Sequence, residues 1–168
     1  NYLEKVDLDG TYGNQAKYYL GYISYANNYY TQANEYFSNV ESVEKYQERM
    51  GYYKADMQFK SGNFDKAVEE GLAQMPKSTE AEKSELSKII GESYFNLKQY
   101  DKALPYLLAY EGKNGKLSNV DFYQLGYSYY QQKDYDKAVS EFNKIIGGKD
   151  AVAQNAYYHL GESYLKLG

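Results

Sequence analysis

The sequence contains no cysteine, no tryptophan, one histidine and two prolines. Without cysteine it cannot form disulfides, thiolate zinc sites or a cysteine nucleophile. The single histidine, His159, excludes a multi-histidine metal site, and no motif typical of a catalytic histidine accompanies it. No stretch approaches the roughly 18 uninterrupted apolar residues that a membrane helix needs. We therefore expect no cofactor, no catalysis by these groups and no direct insertion into a membrane.

Basic residues are fewer than acidic residues in this sequence. Nineteen Lys and Arg residues face 23 Asp and Glu residues, which gives a formal net charge of −4. The lysines are scattered among acids, so a nucleic-acid backbone is not an expected partner. Asp56 and Glu92 could form a carboxylate pair of the kind that hydrolyses glycosidic bonds. Carboxylates are common on solvated helix faces, however, and the sequence favours a non-enzymatic protein.

Tyrosine is abundant, with 24 copies, and many of them recur in an internal repeat. The window LGYSYYQQKDYDKAVSEF (125–142) aligns with windows at 20–37, 54–71 and 90–107, and a shortened copy ends the chain at 160–168. A small residue stands second in each window, and successive copies are 34 to 36 residues apart: Gly21, Ala55, Gly91, Gly126 and Gly161. Such a period, with two helical patterns per unit, is typical of helix–turn–helix repeats.

Each unit predicts two helices that pack closely. Glycine in a helix costs about 1 kcal/mol relative to alanine, so its recurrence predicts a close approach of the paired helix. Alanines recur twelve residues later, and we expect them to face the small residues: Ala33, Ala67, Ala103 and Ala138. Residues that can cap a helix precede the second helical pattern: Thr31, Asp65, Asp101 and Asp136. Thr79 and Glu82 form a predicted capping box, while Gly112 and Gly147 are predicted to end second helices.

The pattern LG..YY...DYDKA...F resembles the tetratricopeptide repeat (TPR) family over nearly the whole chain. The resemblance implies an all-α fold, a right-handed α-solenoid of helix–turn–helix repeats. We expect one array, cut from a longer protein. Its parts are the tail of a preceding repeat at 1–13, repeats at about 14–47, 48–78, 79–118 and 119–149, and the first helix of a further repeat at 150–168.

The resemblance also implies that a partner binds in a concave groove lined by the first helices. On each first helix, the positions three before, one after and four after the small residue share one face. Ten of these fifteen positions are aromatic, and tyrosine is enriched at protein interfaces. Among these positions, the candidate binding residues are Tyr18, Tyr22, Tyr25, Tyr52, Asp56, Phe59, Glu92, Phe95, Tyr123, Tyr127, Tyr130, Tyr158 and Glu162.

The predicted function is a scaffold that binds a peptide or partner domain. Apolar and basic side chains would suit this Tyr-rich, mildly acidic groove. Three alternatives stay open: the tyrosines stack on the sugar rings of a cell-envelope glycan, the array dimerises or only spaces other domains, or the tyrosines serve packing between helices. The sequence style is similar to repeat segments of bacterial envelope proteins, which slightly favours a periplasmic or envelope location over the cytoplasm.

Overall fold

The structure, a computed structural model, describes residues 11–145 and 147–168, and this part of the chain is mostly helical. Its nine α-helices are α1 (Thr11–Ala26), α2 (Tyr30–Ser38), α3 (Glu44–Lys60), α4 (Phe64–Gln74), α5 (Glu80–Asn96), α6 (Tyr100–Ala109), α7 (Asn119–Gln131), α8 (Tyr135–Phe142) and α9 (Ala151–Leu167). A short 3-10 helix, Met75–Lys77, follows α4. The predicted all-α fold is confirmed.

The helices form two compact units, the first ending at Ser78 and the second comprising Thr79–Gly168. Helices α1 and α2 pack together in the first unit, as do α3 and α4. In the second unit α5 packs with α6, α7 packs with α8, and α9 packs on both α7 and α8. Within the residues described, no helix is long and apolar enough to cross a membrane.

Three of the recurring glycines, Gly21, Gly91 and Gly126, lie where a side chain of the second helix packs closely on the first. The recurring alanines are fully buried, as a close approach requires, but the side chains that meet the glycines are larger. A Cβ placed on Gly21 would lie 2.6 Å from the ring of Phe37, and one on Gly126 would lie 2.6 Å from the ring of Phe142. The atoms nearest to these two glycines therefore belong to a phenylalanine and not to the recurring alanine. The residue four positions further along fills the space, because side chains one helical turn apart share a face.

The turn inside each helix pair has the same backbone form. Seven residues after each of the first four small residues, one residue has a positive φ: Asn28 (64°), Gly62 (75°), Lys98 (59°) and Lys133 (63°). Second helices then begin at Tyr30, Phe64, Tyr100 and Tyr135, one residue before the Thr and Asp residues expected at their starts. Those residues therefore lie inside the first turn, where an acidic side chain still complements the helix dipole.

Side chains cap the N-termini of three first helices, α5, α7 and α9. Thr79 and Glu82 form the predicted capping box of α5, and Ser118 and Asp121 form a second one at α7. Asp150 caps α9 through the amide of Ala153. Gly112 and Gly147 do have positive φ, of 85° and 66°, but α6 and α8 end several residues earlier.

The sequence predicts the tail of a preceding repeat at 1–13. Residues 1–10 of this segment lie outside the described residues. Residues 11–13 belong to α1. The remaining repeat boundaries stay a prediction.

Candidate functional site

The candidate binding residues fall into two groups, one in each unit. The unit 1 tyrosine face lies on α1 and α3 and comprises Tyr18, Tyr22, Tyr25, Tyr52, Asp56 and Phe59. The unit 2 tyrosine face lies on α5, α7 and α9 and comprises Glu92, Phe95, Tyr123, Tyr127, Tyr130, Tyr158 and Glu162. Both faces are built on first helices, so rigid elements position their side chains.

On the unit 1 tyrosine face, a carboxylate joins the two helices. The Tyr25 hydroxyl donates a hydrogen bond of 2.6 Å to Asp56, and the Lys60 ammonium pairs with the same carboxylate at 2.6 Å. Lys60 also lies 5.2 Å from the centre of the Tyr25 ring, a cation–π distance. Asp56 is buried, with 7% of its surface exposed. The Asp56 carboxylate is therefore satisfied by Tyr25 and Lys60 of the same unit.

The other members of this face differ in how they are placed. The Tyr18 ring is half-buried and stacks on Tyr46 at 4.5 Å between ring centres. The Tyr22 ring lies 6.3 Å from Tyr25 but stays 42% exposed. Tyr52 lies edge-on to Tyr53 at 5.9 Å, and Phe59 packs towards the turn on Phe64 at 5.8 Å.

On the unit 2 tyrosine face, rings contact one another along α7 and across to α5. Tyr127 lies 5.7 Å from Tyr123, 6.2 Å from Tyr130 and 5.9 Å from Phe95. Aromatic pairs at such distances contribute about 0.5–1.5 kcal/mol beyond the area they bury. These half-buried rings therefore hold neighbouring first helices together and also line a surface.

Glu162 on α9 collects three hydrogen-bonding groups. It accepts from the hydroxyls of Tyr130 and Tyr158 at 3.0 Å each, and the Nδ1 atom of His159 lies 3.0 Å from it. The hydrogen bonds from the two tyrosines and the contact with His159 outweigh the effect of burial and lower the pKa of Glu162. Tyr158 remains 62% exposed.

The tyrosine–carboxylate bond is repeated in the two units. Tyr25 and Tyr130 both stand four residues after a small residue, and Asp56 and Glu162 both stand one residue after the small residue of the following first helix. The bond thus joins the same two repeat positions in both units. At Tyr25 and Tyr130, position four after the small residue serves contact between neighbouring first helices, as the packing alternative anticipated.

Glu92 lies in a mixed polar cluster between α5 and α7. Burial raises the pKa of Glu92, and the Lys88 charge and a hydrogen bond from Gln124 act in the opposite direction. Lys88 also lies 3.6 Å from Asp121, and its ammonium stands 4.7 Å from the ring centre of Tyr110. Glu92 therefore shares its cation with a second carboxylate.

Two residues of this arrangement were not among the candidates, Tyr53 and His159. Both stand two positions before a small residue, and each lies among the rings of the preceding first helix. Tyr53 is 4.7 Å from Tyr25, and His159 is 5.0 Å from Tyr130. The repeat pattern offered a signal for them, because each directly follows a candidate residue, Tyr52 or Tyr158, in the sequence. The ring of His159 packs among Tyr127 and Tyr130, a role that a single histidine in a sequence does not indicate.

Two half-buried, hydrogen-bonded tyrosines, Tyr25 and Tyr130, predict a loss of stability in alkaline solution. Burial and the hydrogen bond to Glu162 raise the pKa of Tyr130 from about 10 to about 12, and burial with the bond to Asp56 raises the pKa of Tyr25 further. An unfolded chain releases these protons above about pH 10, whereas the folded chain retains them. The stability that they contribute is therefore complete below pH 10 and is lost as the pH rises through the folded-state values.

Thermal unfolding followed by circular dichroism between about pH 9 and pH 11 measures this effect, because the phenols titrate there. We expect the melting temperature to fall less steeply with pH in Tyr25→Phe than in the unchanged protein. The exposed Tyr29 provides the control, Tyr29→Phe, which should keep the full slope. Equal slopes in all three proteins would contradict the assignment.

Comparison with known proteins agrees with this architecture. Residues 122–147 match the family described as tetratricopeptide repeat. The solved structure named MamA AMB-1 P212121 is similar over 92% of this chain and 82% of that chain, with a TM-score of 0.71 and 16% sequence identity. At that identity the likeness shows the fold alone. No curated protein matches the chain in sequence.

The resemblance to tetratricopeptide repeats is thus confirmed, by the matched segment and by the fold. A repeat of this family on this fold is typical of scaffolds that bind other proteins and of proteins without catalytic activity.

Proposed function

We propose that this protein is a non-enzymatic scaffold that binds peptides or partner domains through its two tyrosine faces. The observation that carries the proposal is the exposure of Tyr22 and Tyr158, at 42% and 62%, beside rings that are packed and hydrogen-bonded. A tyrosine held next to rigid neighbours loses little conformational entropy when a partner covers it. The ring contributes apolar area and the hydroxyl a hydrogen bond.

The remaining candidate residues divide between binding and positioning. Tyr25 and Asp56 hold α1 and α3 together, and Tyr130 and Glu162 do the same for α7 and α9. Tyr123, Tyr127 and Phe95 form the floor on which a partner would rest. Of the three carboxylates, Asp56 is the least able to select a basic partner, because it is buried and already bears Lys60.

A display selection from a random peptide library against the immobilised protein supplies ligands for the test. We expect Tyr22→Ala or Tyr158→Ala to weaken selected peptides about fivefold or more, the loss of about 1 kcal/mol that marks a contributing interface residue. Fluorescence anisotropy with labelled peptides measures the affinity, and circular dichroism checks that helicity is unchanged.

Exposed tyrosines outside the two faces give matched controls. Tyr29 lies in the connection between α1 and α2, and Tyr164 lies on α9, two residues after Glu162. Alanine at either position should change affinity less than twofold. Recovery of no peptide, or equal losses in test and control variants, would contradict the proposal. Binding to a glycan array that Tyr158→Ala abolishes would instead favour sugar stacking, and a concentration-dependent mass in light scattering would favour self-association.

A further inference from the structure

A pocket of about 380 Å³ opens on the unit 1 tyrosine face between α1 and α3. This volume lies within the range of about 300–1,000 Å³ that is typical of ligand sites. Besides Gln15, Lys45 and Arg49, its lining consists of tyrosines: Tyr18, Tyr19, Tyr22, Tyr46 and Tyr53.

The rings of this pocket hold one another in place. Tyr18 stacks on Tyr46 at 4.5 Å and meets Tyr19 edge-on at 5.8 Å, while Tyr22 lies 5.6 Å from Tyr53. Tyr19 and Tyr22 nevertheless expose almost half of their surface. Burial and the neighbouring Tyr53 raise the pKa of Tyr18 to about 12. The pocket is therefore preformed, with ring surface available to a ligand.

The charge of the lining is positive, although the chain as a whole is negative. Lys45 and Arg49 line the pocket, and no carboxylate is found among its described lining residues. Lys45 stands 5.4 Å from the ring centre of Tyr46, and the Arg49 charge opposes the rise in the pKa of Tyr18. None of the ion pairs formed by described residues includes either cation, whereas five other lysines pair with an Asp or Glu within 3 Å.

The second unit provides an internal comparison. Tyr123, Tyr127 and Tyr130 stand at the repeat positions of Tyr18, Tyr22 and Tyr25. Lys45 and Arg49 stand ten and six residues before Ala55, and the corresponding residues before Gly161 are Ala151 and Asn155. Three tyrosine positions thus recur in both units, whereas the two cations occur only in the first. The other tyrosines of the unit 1 pocket, Tyr19, Tyr46 and Tyr53, correspond to Gln124, Val152 and His159.

We propose that the unit 1 pocket binds an acidic peptide segment, with an aromatic or large apolar side chain against Tyr19 and Tyr22 and adjacent carboxylates on Lys45 and Arg49. This inference rests on the proposed scaffold function and names the partner chemistry for its first unit. The preference is opposite in sign to the basic partner that the sequence suggested. Cations that have no carboxylate partner among the described residues, on a preorganised site, can steer and select an anionic ligand, and arginine binds carboxylates in a bidentate geometry.

Three short labelled peptides test the preference, each with one Phe flanked by Glu, by Gln or by Lys. We expect the Glu peptide to bind about fivefold more tightly than the Gln copy, since two partly exposed ion pairs contribute about 0.2–1 kcal/mol each. The Lys copy should bind most weakly, and added salt should weaken the Glu peptide. Fluorescence anisotropy measures all three.

Variants of the protein test whether the preference for the Glu peptide arises in the pocket. The double variant Lys45→Ala and Arg49→Asn carries the second unit's residues, and we expect it to bind the Glu and Gln peptides equally. Lys66→Ala, an exposed lysine of α4 in the same unit, should keep the preference. Tyr22→Ala should weaken both peptides.

Several outcomes would overturn the inference. These are equal or tighter binding of the Lys copy, a preference for Glu that survives in the double variant, and no measurable binding of any of the three peptides. Competition by free glutamate or inorganic phosphate at the peptide's own concentration would show a small-anion site in place of a peptide site. If the peptide selection yields ligands that depend on Tyr158 alone, the scaffold function stands and only this inference fails.

Discussion

Replacing Phe142 by Ala is expected to lower the free energy of unfolding of the second unit by about 3–5 kcal/mol. Phe142 is fully buried at the end of α8 and belongs to the cluster of Ala138, Ile145, Ala153 and Ala156. Its ring also lies 6.1 Å from Tyr123 and 6.3 Å from His159. Truncation removes apolar contacts with the two neighbouring helices, α7 and α9, and a rigid helical framework collapses little around the cavity.

Urea unfolding followed by circular dichroism measures this loss. Leu165 on α9 is 84% exposed, so Leu165→Ala controls for removing an apolar side chain without making a cavity. The control should change stability by no more than about 0.5 kcal/mol. A change below about 1 kcal/mol in Phe142→Ala would contradict the assigned core.

Alanine at the recurring glycines is expected to change stability in opposite directions. A Cβ on Gly91 would lie 2.9 Å from the backbone nitrogen of Leu107, so α6 itself would have to move. The three atoms nearest to a Cβ on Gly126 all belong to the Phe142 ring. A Cβ on Gly161 has no atom within 4 Å. Crowding costs about 1–3 kcal/mol, whereas alanine in a helix gains about 1 kcal/mol over glycine.

We therefore expect Gly91→Ala to destabilise by about 2 kcal/mol and Gly126→Ala by about 1 kcal/mol, while Gly161→Ala stabilises by about 0.5–1 kcal/mol. The three variants make the same chemical change at the same repeat position, so each controls for the others. Denaturant midpoints at constant slope give the comparison. A stabilising Gly91→Ala, or the same sign at all three positions, would show that the close approach of α5 and α6 is misplaced.

Much of the fold could be predicted from the chain alone. The 34-to-36-residue recurrence of small residues predicts helix pairs, and the structure has them at Gly21, Ala55, Gly91 and Gly126. The caps were harder to predict. Thr31 and Asp65 are good capping residues, yet the helices begin one residue earlier, because the positive-φ residue of the turn fixes where the second helix starts.

The candidate site was predictable as a set of positions but not as a set of roles. Helical spacing places Tyr22, Tyr25 and Asp56 on shared faces, whatever their partners. It does not show that Tyr25 donates to Asp56 while Tyr22 stays open to solvent. Contacts between side chains more than thirty residues apart depend on how neighbouring helices are displaced along their axes, and a single sequence carries no measure of that displacement.

By itself, the sequence determined the repeat, its helical period, the tyrosine-rich first helices and the scarcity of catalytic groups. Only the tertiary structure decided which large side chain packs against a glycine, as Phe142 packs against Gly126, and which charges pair with one another among the described residues. It gave Asp56 internal partners and left Lys45 and Arg49 beside open tyrosine rings. The physical reason is that periodicity fixes the face on which a residue lies, whereas charge pairing and burial depend on the atoms that another helix brings to that face.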